Sequence, residues 1–276
     1  MSLEEFGAKA VQWGYRGIDL VVRPGHRVDL DNVEKNLPAA VQVWAGMGLS
    51  CPLVSAPVDF NDPTAAAAER LFAACAAAGV GHIKLGYWYF AEGQGYWPQV
   101  ERARAGLEGF AALAERFGVK ACYHTHSGPC IGSNCAGLMH LLRGFDPALV
   151  GAYPDLGHMA LDGEEPAMGL AMLERYLALI GVKDGCHAPN REGQGAAHVP
   201  LFTPLGAGSV DWRRVLALLA GVGFDGPLAL HTEYNFDEGI IRQVGYEGHP
   251  PEGLEDGVRA DAAFLGRIEP SLVSKK

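Results

Sequence analysis

The sequence predicts a single α/β domain with a parallel sheet, closed into a β/α barrel. Three observations predict it. Apolar strand-like runs alternate with amphipathic helical runs at a spacing of roughly 30 residues, without a break in composition. Polar groups able to move protons or bind metal recur at the C-terminal ends of successive strands, where barrel active sites form. No Gly-x-Gly-x-x-Gly turn follows an early strand and no Gly-Lys-Ser/Thr phosphate loop occurs, so an open sheet built for a nucleotide cofactor loses ground.

Residues 2–14 read as a helix. Ser2 followed by Glu5 forms a capping box, and Leu3, Phe6, Ala10 and Trp13 share one face. Residues 16–22 are a strand. A helix over 38–47 carries Pro38 in its first turn, and 49–56 is the next strand. Asp62-Pro63 caps an alanine-rich helix that ends at Gly79. A strand from His82 leads into the aromatic, glycine-bearing loop with Tyr87, Trp88 and Tyr89. Residues 98–117 are a helix closed by Gly118.

Val119-Lys-Ala-Cys-Tyr-His-Thr-His-Ser-Gly128 is a short buried strand opening into a polar loop. His124 and His126 lie two apart, on one face of it. A helix over 136–143, a strand over 150–154, a helix over 166–177 and a strand over 179–183 follow. Residues 186–208 show little periodicity and read as a lid or binding loop. A helix over 210–219, a strand over 227–231 and a helix over 254–267 complete the chain.

The chain has 276 residues, 49% hydrophobic and 20% charged, so it can bury a sizeable core. Its formal net charge of −10 counts against a nucleic-acid partner and a polybasic membrane contact. No apolar run reaches a membrane span, and no signal peptide is visible. The six cysteines are scattered and suit reduced thiols in a cytoplasmic protein.

Asp155-Leu-Gly-His158, Val182-Lys-Asp184, the run from Leu205 to Asp211 and Gly226-Pro-Leu-Ala-Leu-His-Thr-Glu-Tyr234 resemble the xylose-isomerase-like TIM barrel superfamily. Within it they look like the sugar phosphate isomerase/epimerase group. Ile83-Lys-Leu-Gly-Tyr-Trp88 and Tyr123-His-Thr-His-Ser-Gly128 fit one branch. The resemblance implies a (β/α)8-type barrel spanning 1–276 as one domain. Seven strands are readable, and the family's first strand is lacking. The two sheet edges this leaves would need covering, by a homo-oligomer or a neighbouring helix.

The resemblance also implies a divalent metal ion (Mn, Mg or Zn) held by Glu, Asp, His and Glu from four strands. Asp155 and Glu233 keep their places, the first Glu falls on His124, and the His falls on Gly181, which has no side chain to ligate. The metal set is thus Asp155, Glu233 and His124. Glu233, His124 and Lys183 are the catalytic candidates, moving a proton beside a carbonyl. The Lys183 ammonium would offset the two carboxylates in place of metal. His126, His158, Lys84, Trp88 and His231 are candidates for substrate binding.

Each has a plainer reading. Asp155 could cap the next turn. Glu233 could pair with an arginine such as Arg242. Lys183 could pair with Asp184. Trp88 could simply pack. Cys186-His187 are adjacent, and adjacent strand residues face opposite ways. The function implied is an isomerase or epimerase of a sugar, sugar phosphate, polyol or keto-acid. A dehydratase or lyase, or a silent carbohydrate-binding protein, is the alternative. The partner is a small carbohydrate or polyol, with no nucleotide cofactor. The superfamily's DNA-repair endonuclease needs a basic face that this chain lacks.

Overall fold

The computed structural model describes residues 1–190, 195–234 and 253–269. Helix α1 (Leu3–Gln12) starts at the Ser2/Glu5 capping box. Then come β1 (Gly17–Val21), α2 (Val33–Ala45), β2 (Ser50–Ser55), α3 (Ala66–Ala78), β3 (His82–Lys84), α4 (Tyr96–Phe117), β4 (Lys120–His124), α5 (Cys135–Leu142) and β5 (Val150–Tyr153). Helices α6 (Leu156–Leu161) and α7 (Pro166–Leu173) precede β6 (Ile180–Val182), β7 (Asp184–Pro189) and β8 (His198–Thr203). Helix α8 (Trp212–Gly221), β9 (Leu228–Leu230) and α9 (Leu254–Ile268) finish the described chain.

Strands β1 to β5 pair in sequence order, all parallel. Single bridges at Ala152–Leu177 and Asp155–Gly181 carry the order on to β6, which pairs in parallel with β9. Parallel neighbours need crossovers, and α2, α3, α4 and α5 supply them, each burying its apolar stripe on the sheet. Strand β9 then faces β1 across a cavity of about 420 Å³ bordered by Ile18, Asp19, Leu228 and Leu230. Among the described residues no strand pairs with both of these edges.

Four sequence expectations are corrected. Helix α2 begins at Val33, not Pro38, and contains the proline. Burial of Val33 and Leu37 outweighs the hydrogen bond that Pro38 cannot make. Asp62 does not cap α3: its Oδ1 accepts from the backbone and hydroxyl of Thr64, closing a turn ahead of the helix. The strand ending at Tyr153 leads directly into α6, a helix not expected from the sequence.

Last, the stretch over 186–208 is not a plain loop. Strands β7 and β8 form an antiparallel hairpin in register from Asp184–Thr203 to Pro189–His198. Asp184 anchors its base. Its Oδ1 accepts from the amides of Gly185 and Val210, and its Oδ2 from the Gly206 amide and the Trp212 indole. The Lys183–Asp184 ion pair therefore gives way to a carboxylate turned to the other side of the strand. All six cysteines are free and buried. Among the described residues no helix is long and apolar enough to cross a membrane.

Helix α9 is tied to the barrel by a buried carboxyl. Asp261 is 1% exposed and accepts from the Leu205 amide and the Tyr234 hydroxyl. Burial pushes its pKa up to about 6, against the pull of these two donors. A folded pKa raised above the unfolded value stabilises the fold most at pH below about 4, and that stability is lost as pH rises to about 6. The difference amounts to about 3 kcal/mol at neutral pH. Asp261→Asn keeps one acceptor and removes the charge. Denaturant melts from pH 4 to 7.5 are expected to show it more stable than wild type at neutral pH, the gap closing towards pH 4. A constant gap across that range would contradict the assignment.

Candidate functional site

The site forms where the parallel strands end. His124 is the last residue of β4, and its partner in register is Tyr153. Asp155 follows two residues after β5 and bridges to Gly181. Lys183 directly follows β6, and the amide of His231, just past β9, donates to the Val182 carbonyl. The fold thus brings His124, Asp155, Lys183, His231 and Glu233 together from four strands.

Asp155 is the centre. It is fully buried and both its oxygens are used. Oδ1 accepts from the amide of His158, capping α6. Oδ2 lies 3.3 Å from His124 Nε2, 2.9 Å from His231 Nδ1 and 3.8 Å from Lys183 Nζ. The turn-capping reading and the site reading are both met, one by each oxygen. Burial alone would raise the Asp155 pKa. The Lys183 charge and the two imidazole donors outweigh it and hold the carboxyl well below its ordinary value.

Gly181 makes room for this arrangement. A Cβ on it would lie 2.7 Å from Asp155 Oδ2, so any larger residue would push the carboxylate aside.

Each imidazole is anchored by a tyrosine. The Tyr87 hydroxyl lies 2.9 Å from His124 Nδ1, and the Tyr153 hydroxyl 2.7 Å from His231 Nε2. Burial holds the His124 pKa well below its ordinary value, so the ring is neutral. A neutral ring donates one N–H to Asp155 and accepts the phenol proton at the other nitrogen. If the nitrogen facing Asp155 binds a cation, the proton moves to the other one and the tyrosine oxygen accepts it. A hydroxyl serves either tautomer.

His124, Asp155 and His231 offer three ligand atoms within 4.8 Å of one another. Two imidazoles and a carboxylate, with outer nitrogens oriented by hydroxyls, fit a divalent cation. Glu233 stands outside this trio. Its Oε2 pairs with Lys183 Nζ at 3.0 Å, and its side chain is 59% exposed. Arg242, weighed as its partner, lies outside the described residues.

Lys183 is 2% exposed. It also lies 3.1 Å from His158 Nε2 and packs its ammonium over the Phe202 ring. On the other side of the ring, His158 Nδ1 accepts from the Ser127 amide at 3.2 Å and lies 2.8 Å from Ser127 Oγ. Burial pulls the His158 pKa down to about 3, which keeps the ring neutral. His126 is half-buried and gives its Nδ1 to the Ser127 carbonyl, leaving Nε2 with a lone pair.

A cleft of about 550 Å³ opens beside the cluster, and Lys84, Tyr87, His124, His126, His231 and Glu233 line it. Trp88 does not reach it: its indole packs on Tyr123 and Phe110 in the wall. His187 faces outward while Cys186 is buried, so the two act apart.

Sequence reasoning missed Tyr87 and Tyr153 as imidazole anchors, and Ser127 as the partner of His158. Tyr153 carried one usable signal: as the last residue of a buried strand that opens into the site, its hydroxyl had to find a polar partner.

A family model described as Xylose isomerase-like TIM barrel matches residues 8–265. Inosose dehydratase of Lactiplantibacillus plantarum is 28% identical over 135 residues, 46% of this chain and 45% of that protein. The chain therefore spans less than half the length of this curated relative. Among solved structures, D-psicose 3-epimerase with D-tagatose from Clostridium cellulolyticum superposes with a TM-score of 0.69 at 14% identity, covering 99% of this chain and 94% of that one. A xylose isomerase-like barrel protein of Mycobacterium smegmatis in complex with magnesium gives 0.65 at 16% identity, covering 98% and 89%. At these identities the superpositions speak for the fold.

Proposed function

The chain belongs to the Xylose isomerase-like TIM barrel family, and on that footing we propose that it is an isomerase or epimerase of a sugar or related polyol, moving a proton on the carbon beside a carbonyl. One observation carries the reading: a buried Asp155 gathers two imidazoles and an ammonium at the strand ends, while a more exposed carboxylate, Glu233, waits beside them at the cleft. The frame is a (β/α)8-type barrel whose position between β9 and β1 is unfilled by a strand among the described residues.

The roles follow from the geometry. His124, Asp155 and His231 would hold a divalent ion such as Mn, Mg or Zn, which supplies Lewis-acid polarisation of the substrate carbonyl. Glu233 takes the proton from the neighbouring carbon. The electron pair of that C–H bond moves onto the carbonyl oxygen, giving an enediolate. Lys183 holds the Glu233 carboxylate in place and offers positive charge to the forming oxyanion. In isomerisation the protonated Glu233 returns that proton to the adjoining carbon; in epimerisation His126, on the β4 side of the cleft, first takes a proton from solvent at Nε2 and then gives it to the carbon. Burial lowers the His126 pKa, so the protonated ring gives its proton up readily.

A second reading has one observation in its favour, the similarity to inosose dehydratases over about half of their length. A dehydratase makes the same first abstraction and then expels a hydroxide from the next carbon. Incubation of D-tagatose, D-fructose and an inosose in deuterium oxide separates the two. An epimer or isomer carrying solvent deuterium supports the first reading, and an unsaturated ketone absorbing in the ultraviolet supports the second. Neither exchange nor turnover with any of them would favour a silent binding protein.

Metal content tests the ligand trio independently of turnover. Titration with manganese or zinc is expected to give about one ion per chain. Binding should be lost in Asp155→Asn and in His231→Gln, and kept in Glu233→Gln. Loss in Glu233→Gln with retention in His231→Gln would instead restore the ligand set that the family resemblance implies.

A further inference from the structure

The arc of inward polar groups continues past the metal trio, onto β1, β2 and β3. Asp19 lies in the middle of β1 and is half-buried. Its Oδ2 accepts from the Ser55 hydroxyl at 2.8 Å. Its Oδ1 is buried with no hydrogen-bond partner among the described residues. Ser55 pairs in register with Lys84 on β3. The Lys84 side chain is buried, with its ammonium 4.4 Å from the centre of the Tyr87 ring, and it makes no ion pair with a described carboxylate. Asp19, Ser55, Lys84 and Tyr87 all line the cleft that holds His126, His231 and Glu233.

A carboxylate oxygen stripped of water and given no donor is unfavourable. It shares the cleft with a buried ammonium that makes no ion pair with a described carboxylate. Burial raises the Asp19 pKa and lowers that of Lys84 to about 8, so each group is poorly solvated as it stands. One kind of ligand group satisfies both at once. A hydroxyl donates to Asp19 Oδ1 and accepts from Lys84 Nζ. A phosphate at neutral pH brings only acceptors and meets the Asp19 charge. Arg23 also borders the cleft, with its Nη1 given to the carbonyls of Val22, Ser55 and Ala56.

We propose that Asp19, Ser55 and Lys84 form a hydroxyl-binding subsite at the β1–β3 end of the cleft, and that the substrate is a neutral polyhydroxy carbonyl compound rather than a phosphorylated one. This rests on the reaction class proposed above. Asp19 here binds and positions substrate, at a cost to the stability of the empty protein.

The test measures binding and stability side by side. D-tagatose, D-fructose, myo-inositol and D-fructose 6-phosphate are titrated calorimetrically into wild type, Asp19→Asn and Asp19→Leu, and each protein is melted without ligand. Wild type is expected to bind at least one of the neutral compounds, and D-fructose 6-phosphate no more tightly than D-fructose. Asp19→Asn should weaken the neutral compound about tenfold or more. Both variants should melt at or above the wild-type temperature, because a poorly solvated negative charge has been removed. Equal affinity in wild type and Asp19→Asn overturns the subsite. So does preference of wild type for the phosphate, or a fall in melting temperature without a fall in affinity. Failure of wild type to bind any of the four overturns the reaction class, and the subsite with it.

Discussion

Lys183→Met is expected to lower turnover by roughly a thousandfold, the scale of losing a preorganised charge beside a developing oxyanion. The ammonium touches three groups at once: Glu233 at 3.0 Å, His158 at 3.1 Å and Asp155 at 3.8 Å. Methionine keeps most of the volume and removes every one of these contacts. Asp155 would then rest on the two imidazoles of His124 and His231 alone. Breaking a buried pair in this way costs about 3–5 kcal/mol. Glu233 is more than half exposed and adds little of that, so the lower end of the range is expected. A second outcome separates electrostatics from packing. With the ammonium gone, manganese or zinc should bind His124, Asp155 and His231 more tightly, because a positive charge near the site has been deleted. Wild-type kcat/KM in Lys183→Met would remove Lys183 from the mechanism. Unchanged metal affinity would remove its electrostatic role.

The strand ends were legible in the sequence because their signals are local. An apolar run that stops at His124, at Asp155 or at Glu233 announces a polar end of a buried strand, and the repeat of that pattern implied a barrel. Helix α1 was legible for the same reason, since the Ser2/Glu5 box lies within four residues. What failed depended on partners distant in sequence. Tyr87 meets His124 from 37 residues away, and Tyr153 meets His231 from 78. Nothing near Tyr87 distinguishes it from core, and the strand-end place of Tyr153 says that its hydroxyl needs a partner but not which one.

The ligand position left by Gly181 was visible, but not what becomes of the space. The structure sets Asp155 Oδ2 directly over Gly181 and turns His231 onto the same oxygen. Local rules also misled. Pro38 looked like a helix start and sits inside α2. The β7–β8 hairpin hid behind Pro189 and Pro200 and an uneven burial pattern, with no clean alternation to reveal it. There the four donors to Asp184 set the geometry of the hairpin base, and a list of residues in order does not contain them.

Glu233→Gln is expected to abolish detectable turnover, a loss on the order of a thousandfold or more for a general base, while leaving fold and metal content intact. The argument turns on where the side chain sits. Its carboxylate is exposed at the cleft and stands outside the His124–Asp155–His231 trio, so neither packing nor ligation depends on it. Glutamine keeps an acceptor for Lys183 and loses only the capacity to take a proton. Partial burial would raise the Glu233 pKa. The Lys183 ammonium outweighs burial and holds it below the ordinary value of 4.5. The base is therefore ionised, and active, above that value, and kcat/KM should fall on the acid side only below it. An acid limb near neutrality would point instead to an imidazole as the group that first takes the proton. If Glu233→Gln keeps its metal and its melting temperature but still exchanges the substrate's carbon-bound proton with deuterium oxide, the base is another residue, and His126, on the opposite side of the cleft's strand order, is the next to replace.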